Sequence, residues 1–266
     1  MYKNILLKLS GESLMNEFEN INKDKTKEIA LLIKKIHDMN INIGIVCGGG
    51  NFFRGRSHQD MEAINADSMG MLGTTMNALA LRDAFNKAGV PNVIFSPFDF
   101  HELIEYHTED ELKAMYKNGT VVIFSGGTGH IGCSTDTAAS MKAIMIDADV
   151  IIKLTNVDGV YDKDPNKYPD AIMYSKLTHE EVLKNPEIKV MDLACIEDCK
   201  RENKDILVIN FNDKENLIKV LRIIIFSLSL LTIILESLAL FGLISYYFGI
   251  IPFLICYVVK YFYIIK

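Results

Sequence analysis

The sequence predicts an α/β protein in which parallel strands alternate with helices. Short apolar runs rich in β-branched residues alternate with longer segments of helical periodicity. Two of the apolar runs end in glycine-rich loops, one beginning at Gly48 and the other at Gly126. The chain has 266 residues, which is enough for one large domain of this class or two small ones.

The composition argues against two other classes of protein. The formal net charge is −6 and no cluster of lysine or arginine stands out, so we expect no nucleic-acid partner. The five cysteines include no Cys-x-x-Cys pair, and Cys195 and Cys199 have no histidine at ligand spacing beside them. Reduced thiols in a cytoplasmic protein are therefore expected. The N-terminus runs directly into a predicted strand, so we also expect no targeting peptide.

The first predicted strand runs from Asn4 to Leu9 and carries a lysine, Lys8, near its end. A buried lysine is costly unless its charge has a partner. Lys8 could lie on an exposed edge. We favour a role in anion binding, because Lys8 precedes Ser10 and Gly11 at the end of a strand, where parallel sheets bind ligands. A predicted amphipathic helix from Asp24 to Asp38 completes the first half of a βαβ unit.

The second predicted strand, Ile41 to Cys47, leads into the glycine run Gly48–Gly50. Glycine permits positive φ and a bare backbone that a ligand can approach closely. With Asn51 and Arg54 just beyond, this segment predicts a phosphate-binding loop. An ordinary tight turn between strand and helix is the alternative.

A long helix is predicted after this loop, with apolar residues at spacings of three and four: Met69, Leu72, Met76 and Leu79. Asp67 lies near its start. This carboxylate could complement the helix terminus, or it could accept hydrogen bonds from the hydroxyls of a sugar. The residues alone leave both alternatives open.

Two further strands are predicted at Val93 to Ser96 and at Val121 to Ser125, separated by a short helix from Glu109 to Tyr116. The second of them runs into Gly126, a glycine-rich loop and a helix from about Thr137 to Asp147. Backbone amides, hydroxyl groups and a helix N-terminus in this order suit a second phosphate.

Asp136 is unexpected at this position, because a carboxylate repels phosphate. It is explained if it positions Lys8 or a magnesium ion; an ordinary aspartate of the first helical turn is the alternative. A fifth strand, Val150 to Leu154, is followed by turn signals on both sides of Tyr161, which could pack against an adenine ring. Leu207 to Phe211 is the last predicted central strand.

Seven short motifs occur in a fixed order: Lys8-Leu-Ser-Gly-Glu, Gly48-Gly-Gly-Asn-Phe-Phe-Arg-Gly, Asp67-Ser-Met-Gly-Met-Leu, Gly127-Thr-Gly-His, Ser134-Thr-Asp-Thr-Ala-Ala, Val157-Asp-Gly-Val-Tyr and Val190-Met-Asp-Leu-Ala. Together they resemble the bacterial uridylate kinases of the amino-acid kinase family. The resemblance implies a three-layer αβα sandwich with a mostly parallel central sheet. It also implies magnesium-dependent phosphoryl transfer from ATP to UMP in pyrimidine nucleotide biosynthesis, and a homohexamer. A carboxylate or carbamate kinase of the same family and a non-catalytic nucleotide- or oxyanion-binding relative remain alternatives.

The resemblance assigns site residues position by position. It implies catalytic roles for Lys8, Asp136 and Asp192. It implies ATP binding by Lys8, Leu9, Ser10, Gly11, Gly50, Arg54, Thr155, Asn156, Tyr161 and Asp164. It implies UMP binding by Gly49, Asp67, Thr128, Gly129, His130, Ile131, Gly132, Cys133, Ser134 and Thr135. Mg²⁺ is expected with ATP, and no set of protein side chains is identified as its ligands.

The composition changes near Leu221, which divides the chain into a kinase-like domain, residues 1–221, and a hydrophobic tail, residues 222–266. Within the tail, Leu238 to Val259 is uncharged and long enough to cross a bilayer. The tail is either a membrane anchor or an aberrant C-terminus produced by out-of-frame translation. We favour the second interpretation, because the tail replaces the short strand with which the family ends.

Overall fold

A computed structural model describes residues 2–54, 60–185, 187–213, 215–219, 221 and 264–265. In this part of the chain, six parallel strands form the centre of one sheet. The strands, in chain order, are β1 Asn4–Leu9, β2 Asn42–Cys47, β3 Asn92–Phe95, β4 Val121–Phe124, β5 Val150–Thr155, β6 Val160–Tyr161, β7 Met173–Tyr174, β8 Lys176–Leu177, β9 Asp205–Asn210 and β10 Ile264–Ile265. The sheet order is β3-β4-β2-β1-β5-β9-β10-β8, while β6 and β7 pair separately.

Helices connect the strands and cover both faces of the sheet. They are a 3₁₀-helix Gly11–Leu14, α1 Lys23–His37, α2 Ala63–Ala88, α3 Glu109–Lys117, α4 Thr135–Met145, α5 His179–Lys184 and α6 Leu193–Arg201; residues 215–219 are also helical. Successive residues of β1 face opposite layers: Ile5 and Leu7 belong to the hydrophobic cluster that includes α1 and α2, and Leu6 to the cluster that includes α4 and α6. Burial on both faces explains why the strands are continuously apolar. The predicted αβα fold is confirmed.

Helix α2 forms where it was predicted, but of its apolar stripe only Leu79 packs against the described core. Met69, Leu72 and Met76 are 43%, 51% and 42% exposed. The side that faces the protein instead carries small and polar residues, including Gly73, Thr74, Thr75, Asn77 and Ala78. The periodicity is real, but it does not reveal whether the apolar stripe faces the core or the surface. The small residues are needed because the loop after β2 packs directly on this helix, as described below.

Helix α4 begins at Thr135, earlier than predicted, because Ser134 caps it. The Ser134 Oγ accepts hydrogen bonds from the backbone N–H groups of Asp136 and Thr137, at 2.9 and 3.2 Å. This is the usual role of serine at a helix N-terminus. Asp136 consequently lies in the first helical turn, at the edge of the sheet where β1 and β5 end.

The far edge of the described sheet includes β10, which lies between β9 and β8. It pairs antiparallel to β9 and parallel to β8. The predicted membrane-spanning segment, Leu238 to Val259, lies outside the described residues. Within the described part of the chain, no helix combines the length and the apolar character that crossing a bilayer requires.

Candidate active site

The carboxyl ends of β1, β2, β4 and β5 lie side by side, because these four strands are parallel. They bring Lys8, the loop Gly48–Gly50, the loop that starts at Gly126 and the end of β5 at Thr155 to one edge of the sheet. Ligands bind at this edge in open α/β sheets. The sequence predicted a binding site at the same place.

Asp136 lies between two lysines that belong to neighbouring strands. Lys8 Nζ is 2.7 Å from Asp136 Oδ1, and Lys153 Nζ is 3.4 Å from Asp136 Oδ2. The side chains of Lys8, Asp136 and Lys153 are only 13%, 17% and 18% exposed. Two ammonium groups share one carboxylate, so the cluster has an excess of positive charge at the edge where ligands bind.

The protonation states of the cluster follow from burial and from these charges. Burial by itself raises the pKa of the Asp136 carboxyl, but Lys8 and Lys153 outweigh it and hold that pKa below its usual value. Burial lowers the pKa of Lys153; Asp136 opposes this shift and the charge of Lys8 adds to it. Asp136 is therefore ionised at neutral pH, and it keeps the two lysines together despite their mutual repulsion.

Asp192 contacts hydroxyl and amide groups. It caps α6 by accepting a hydrogen bond from the Cys195 backbone N–H at 2.8 Å. Its other oxygen accepts a hydrogen bond from Thr137 Oγ1 at 2.8 Å and one from Ser134 Oγ. These bonds join the start of α6 to the start of α4. Ser134 links Asp192 to Asp136, because its Oγ also accepts the hydrogen bond from the Asp136 backbone N–H.

The glycine loop after β2 does not use positive φ, so that expectation was wrong. Positive φ occurs at other glycines, among them Gly126, Gly127, Gly129 and Gly132. Gly49 is required for a different reason: a Cβ there would lie 2.5 Å from the Gly70 carbonyl oxygen on α2. The loop therefore lies against the helix backbone, an approach that a side chain at position 49 would block.

The loop after β4 is held to α2 by two hydrogen bonds. The Gly126 N–H donates to Thr74 Oγ1 at 2.8 Å, and the Gly132 N–H donates to Asp67 Oδ2 at 2.6 Å. Within the loop, Thr128 Oγ1 accepts a hydrogen bond from the His130 N–H at 3.0 Å. Helix α2 begins at Ala63, and its N-cap Glu62 makes no side-chain capping bond. Asp67 is therefore not the cap of α2, and its carboxylate faces the loop.

A cavity of about 410 Å³ lies between α2, the glycine loop and the loop after β4. Its volume is in the range typical of small-molecule sites. Nine of the predicted site residues line it: Gly49, Gly50, Arg54, Asp67, Thr128, His130, Cys133, Ser134 and Thr135. Gly129, Ile131 and Gly132 belong to the same loop but are not among the lining residues. The cavity therefore joins residues predicted to bind UMP with Gly50 and Arg54, which were predicted to bind ATP. Ser134 and Thr135 in its lining directly precede Asp136 in the chain.

The residues assigned to the adenosine side are separate from this cavity. Thr155 ends β5, Tyr161 lies in β6, and Asp164 Oδ1 accepts a hydrogen bond from the Asn166 N–H at 3.0 Å in the turn that follows. None of these residues lines the cavity. At the other end of the site Arg54 forms an ion pair with Glu12, and its Nε donates to the Gly50 carbonyl oxygen at 3.4 Å.

Sequence reasoning missed Lys153, although the signal was present. Lys153 is a lysine within an apolar strand, as Lys8 is, and the two are register partners on β5 and β1. The same argument from burial applies to both. Glu12, Phe53, Met71 and Thr74 also line the cavity without having been predicted. Glu12, Phe53 and Met71 lie within the seven short motifs but were assigned no role. Thr74 had no signal, because the neighbours of a loop in space are not visible in its sequence.

The described residues contain no group of three or more histidine, cysteine or acidic side chains that could hold a metal ion. The two carboxylates nearest the site already have partners: Asp136 pairs with lysines and Asp192 accepts hydrogen bonds from hydroxyl groups. These donor sets suit a magnesium ion that is bound mainly by the phosphates of a nucleotide.

In this fold, lysines and backbone amides gather at the carboxyl edge of a parallel sheet, and this arrangement suits phosphate groups. The chain belongs to the amino acid kinase family, whose model matches residues 3–210. Among curated proteins it is similar to uridylate kinase of Bacteroides thetaiotaomicron, with 44% identity over 223 residues that cover 83% of this chain and 94% of that protein. Uridylate kinase of Fervidobacterium nodosum is 40% identical, covering 84% and 95%.

Solved structures give the same result. The crystal structure of UMP kinase from Bacillus anthracis superposes with a TM-score of 0.79 at 32% identity, covering 82% of this chain and 91% of that one. UMP kinase from Ureaplasma parvum superposes with a TM-score of 0.76 at 33% identity, covering 80% and 92%. The fold is therefore shared over nearly the whole of each relative.

Proposed function

We propose that this protein transfers the γ-phosphoryl group of ATP to UMP, giving ADP and UDP, a step in pyrimidine nucleotide biosynthesis. The proposal rests on one observation. Lys8, Asp136 and Lys153 form a buried cluster, and Asp136 directly follows the cavity-lining residues Ser134 and Thr135 in the chain. An excess of positive charge beside a nucleotide-sized cavity suits the transfer of a phosphoryl group between two phosphates. The names of the relatives support UMP as the acceptor.

The residues present supply what this reaction needs. The second pKa of a phosphate monoester is about 6, so the acceptor oxygen is largely ionised at neutral pH and no general base is required. The barrier comes from bringing two anions together in line. Lys8 and Lys153 offset that repulsion, and Asp136 fixes the position of both ammonium groups. Mg²⁺, when bound with ATP, neutralises further phosphate charge.

On the acceptor side, we propose that Asp67 accepts hydrogen bonds from the ribose of UMP. Its carboxylate lines the cavity and is held in place by the Gly132 N–H at 2.6 Å. The phosphate of UMP would then lie near Gly49, Ser134 and Thr135, where the N-terminus of α4 favours an anion. The segment Thr128–Cys133 forms the remaining wall around the nucleotide.

On the donor side, we propose that the turn Lys8–Gly11, together with Gly50 and Arg54, binds the phosphates of ATP. Thr155, Asn156, Tyr161 and Asp164 would bind the adenosine. These residues lie around the end of β5 and in the segment that follows it. Lys8 would contact the phosphoryl group in transfer, since it lies at the end of β1, between the residues proposed to bind ATP and those proposed to bind UMP. Asp192 would act through α4, by fixing Ser134 and Thr137.

We also propose that the protein is a homo-oligomer, a hexamer by resemblance to the family. Met69, Leu72 and Met76 form an exposed apolar stripe on α2, and a stripe of this kind suits contact with a second copy. Leu72→Glu should shift the mass measured by light scattering to a smaller species. Exposed Lys87→Glu on the same helix is the charge control.

The domain proposal is that residues 1–221 form the kinase unit and that 222–266 is a hydrophobic tail, of which Ile264 and Ile265 pair with β9 and β8 as strand β10. The family model ends at residue 210, which supports this boundary. The four described cysteines are all free thiols, which supports a reducing, cytoplasmic location for this unit. Reading the encoding DNA for a frameshift near Leu221 would separate an anchor from an aberrant C-terminus.

A direct assay tests the activity. The purified protein is incubated with ATP, Mg²⁺ and one acceptor at a time, and ADP release is followed by a coupled assay. We expect turnover with UMP and none with glutamate or carbamate, which are acceptors of the alternative kinases. Turnover with a carboxylate acceptor, or nucleotide binding without turnover, would reject UMP phosphorylation in favour of one of the two alternatives.

A further inference from the structure

Two buried amide side chains join the glycine loop after β2 to helix α2. Asn77 is fully buried and Asn51 is 7% exposed. Asn51 Nδ2 donates to Asn77 Oδ1 at 2.9 Å, and Asn77 Nδ2 donates back to Asn51 Oδ1 at 2.8 Å. Asn77 Nδ2 also donates to the Gly48 carbonyl oxygen at 2.8 Å, and Asn51 Nδ2 to that of Asn20 at 2.7 Å. The four amide N–H bonds of the pair are thus all used within the protein.

The turn after β1 packs directly on this amide pair. A Cβ at Gly11 would lie 2.5 Å from both Asn51 Oδ1 and the Gly48 carbonyl oxygen, and 3.0 Å from the Gly50 nitrogen. In addition, the Gly48 N–H donates to the Leu9 carbonyl oxygen at 3.0 Å. The amide pair therefore contacts both segments that face the phosphates: the turn after Lys8 and the glycine loop.

Two buried amide side chains stabilise the folded protein less than apolar side chains of the same size would. Removing an amide from water costs free energy that its hydrogen bonds only offset, whereas apolar side chains of similar size carry no such cost. A fully paired polar network does fix one arrangement, because each bond has a direction. In this protein the network fixes the distance between two segments, which are the turn that contains Ser10 and Gly11 and the loop Gly48–Gly50.

We infer that Asn77 is a positioning residue: through Asn51 and Gly48 it holds the turn after β1 and the glycine loop at the spacing that phosphoryl transfer requires. The inference rests on the proposed function. It assigns a role in the reaction to a side chain that lines neither the cavity nor the lysine cluster. A misplacement of about 1 Å at reacting groups lowers a rate by roughly 100-fold, so a small shift of either segment is sufficient.

The test compares Asn77→Ala, Asn51→Ala and the double variant with a matched control. Tyr116→Phe is the control: Tyr116 is fully buried, and its hydroxyl donates to the Ile5 and Asn42 carbonyl oxygens near the opposite ends of β1 and β2. All variants are assayed well below their melting temperatures. We expect Asn77→Ala to lower kcat by about 100-fold with a much smaller change in the KM for UMP. Tyr116→Phe should lower the Tm and keep kcat.

The two asparagines should act as a unit, so the double variant should be no slower than the slower single variant. Amide hydrogen exchange gives a readout that does not depend on activity: residues 10–14 and 48–53 should exchange faster in Asn77→Ala and at the wild-type rate in Tyr116→Phe. If Asn77→Ala does not fold, Asn77→Ser, which keeps a donor, takes its place in the same comparison.

The outcomes are distinguishable. Normal kcat in Asn77→Ala or Asn77→Ser, multiplicative losses in the double variant, or unchanged exchange in the two segments would each overturn the inference. If the wild-type protein does not phosphorylate UMP, the proposed function fails. The exchange measurement then still decides whether Asn77 positions the two segments.

Discussion

Lys8 and Lys153 lie side by side on β1 and β5 as register partners, and both ammonium groups reach the carboxylate of Asp136. Like charges on neighbouring strands repel, and the carboxylate between them offsets this repulsion. Lys153 Nζ also donates a hydrogen bond to the Val190 carbonyl oxygen. The two lysine ammonium groups are therefore held at the edge of the sheet before any nucleotide binds. Catalytic groups that are arranged in advance avoid reorganisation at the moment of reaction.

Lys8→Ala should lower kcat far more than it raises the KM for UMP. The ammonium group acts on charge that develops during transfer, and loss of one such electrostatic contact typically costs about 10²- to 10³-fold in kcat. ADP release measured at saturating ATP and UMP checks this. Lys87→Ala removes an exposed lysine from an ion pair with Asp83 and should change neither constant. Near-normal turnover in Lys8→Ala would make Lys8 a structural residue only.

Asp136→Asn should destabilise the protein at neutral pH, because two buried ammonium groups lose their shared partner. Breaking a buried ion pair costs about 3–5 kcal/mol. The pKa of Asp136 is lowered in the folded state. Its stabilising effect is therefore present above the usual aspartate pKa of about 4 and is lost as the pH falls through the folded pKa.

Urea unfolding of the wild type and Asp136→Asn at a series of pH values measures this effect. The difference in the free energy of unfolding should be largest near neutral pH and should shrink below about pH 4. A difference that stays constant with pH would mean that the substitution damages packing and not an ion pair.

Asp67→Asn should weaken the binding of UMP and leave the binding of ATP nearly unchanged. A hydrogen bond to a charged group contributes about 1.5–3 kcal/mol, or roughly 10- to 150-fold in Kd. Calorimetric titration with each nucleotide separately measures both effects. Asp83→Asn, at an exposed position of the same helix, is the control. Equal losses for the two nucleotides would show damage to α2 rather than to a ribose contact.

Cys133 should be the fastest-alkylating cysteine of the free protein, and saturating UMP should protect it whereas ATP alone should not. It is exposed and lines the cavity, while Cys47, Cys195 and Cys199 are buried. Burial raises the pKa of Cys47 to about 12, and a hydrogen bond from the Cys195 thiol to Cys199, together with burial, raises the pKa of Cys195. Thiolates are the reactive form.

Timed iodoacetamide labelling followed by mass spectrometry of each cysteine peptide tests this order. Slow labelling of Cys133, or labelling that UMP does not change, would show that the acceptor phosphate is misplaced in the loop Thr128–Thr135. Cys47, fully buried at the end of β2, gives the unreactive reference within the same sample.

The class of fold followed from the sequence because buried parallel strands are recognisable as short apolar runs. The sequence did not predict which side of helix α2 faces the core. The exposed stripe on α2 has the same spacing as a buried one, and the buried face holds small residues, because the glycine loop lies against it. The reason for Gly49 is likewise a contact with Gly70, which lies 21 positions further along the chain and touches it only in the folded protein.

Within the site, the pairing of Asp136 with Lys8 was one of three alternatives that the residues left open, and the structure places these two groups in contact. The role of Lys153 required knowledge of the strand order, since β1 and β5 are neighbours in the sheet but are separated along the chain by three other strands and their helices. The pairing of Asn51 with Asn77 could not be predicted for a related reason. Nothing in a sequence marks an asparagine in a long helix as the partner of one in a loop.

The central position of β1 has a consequence for how the protein is made. This strand precedes the other described strands in the chain, yet it pairs with β5, and the Asn4 N–H donates to the Asp149 carboxylate across a sequence separation of 145 residues. Contacts this distant slow folding, and synthesis at about 5–20 residues per second delays β5 by many seconds. During that interval β1 and β2 can pair, but the apolar edge of β1 stays uncovered. Until the fifth strand arrives, the nascent chain therefore carries an unpaired strand edge, which is a template for pairing with another chain.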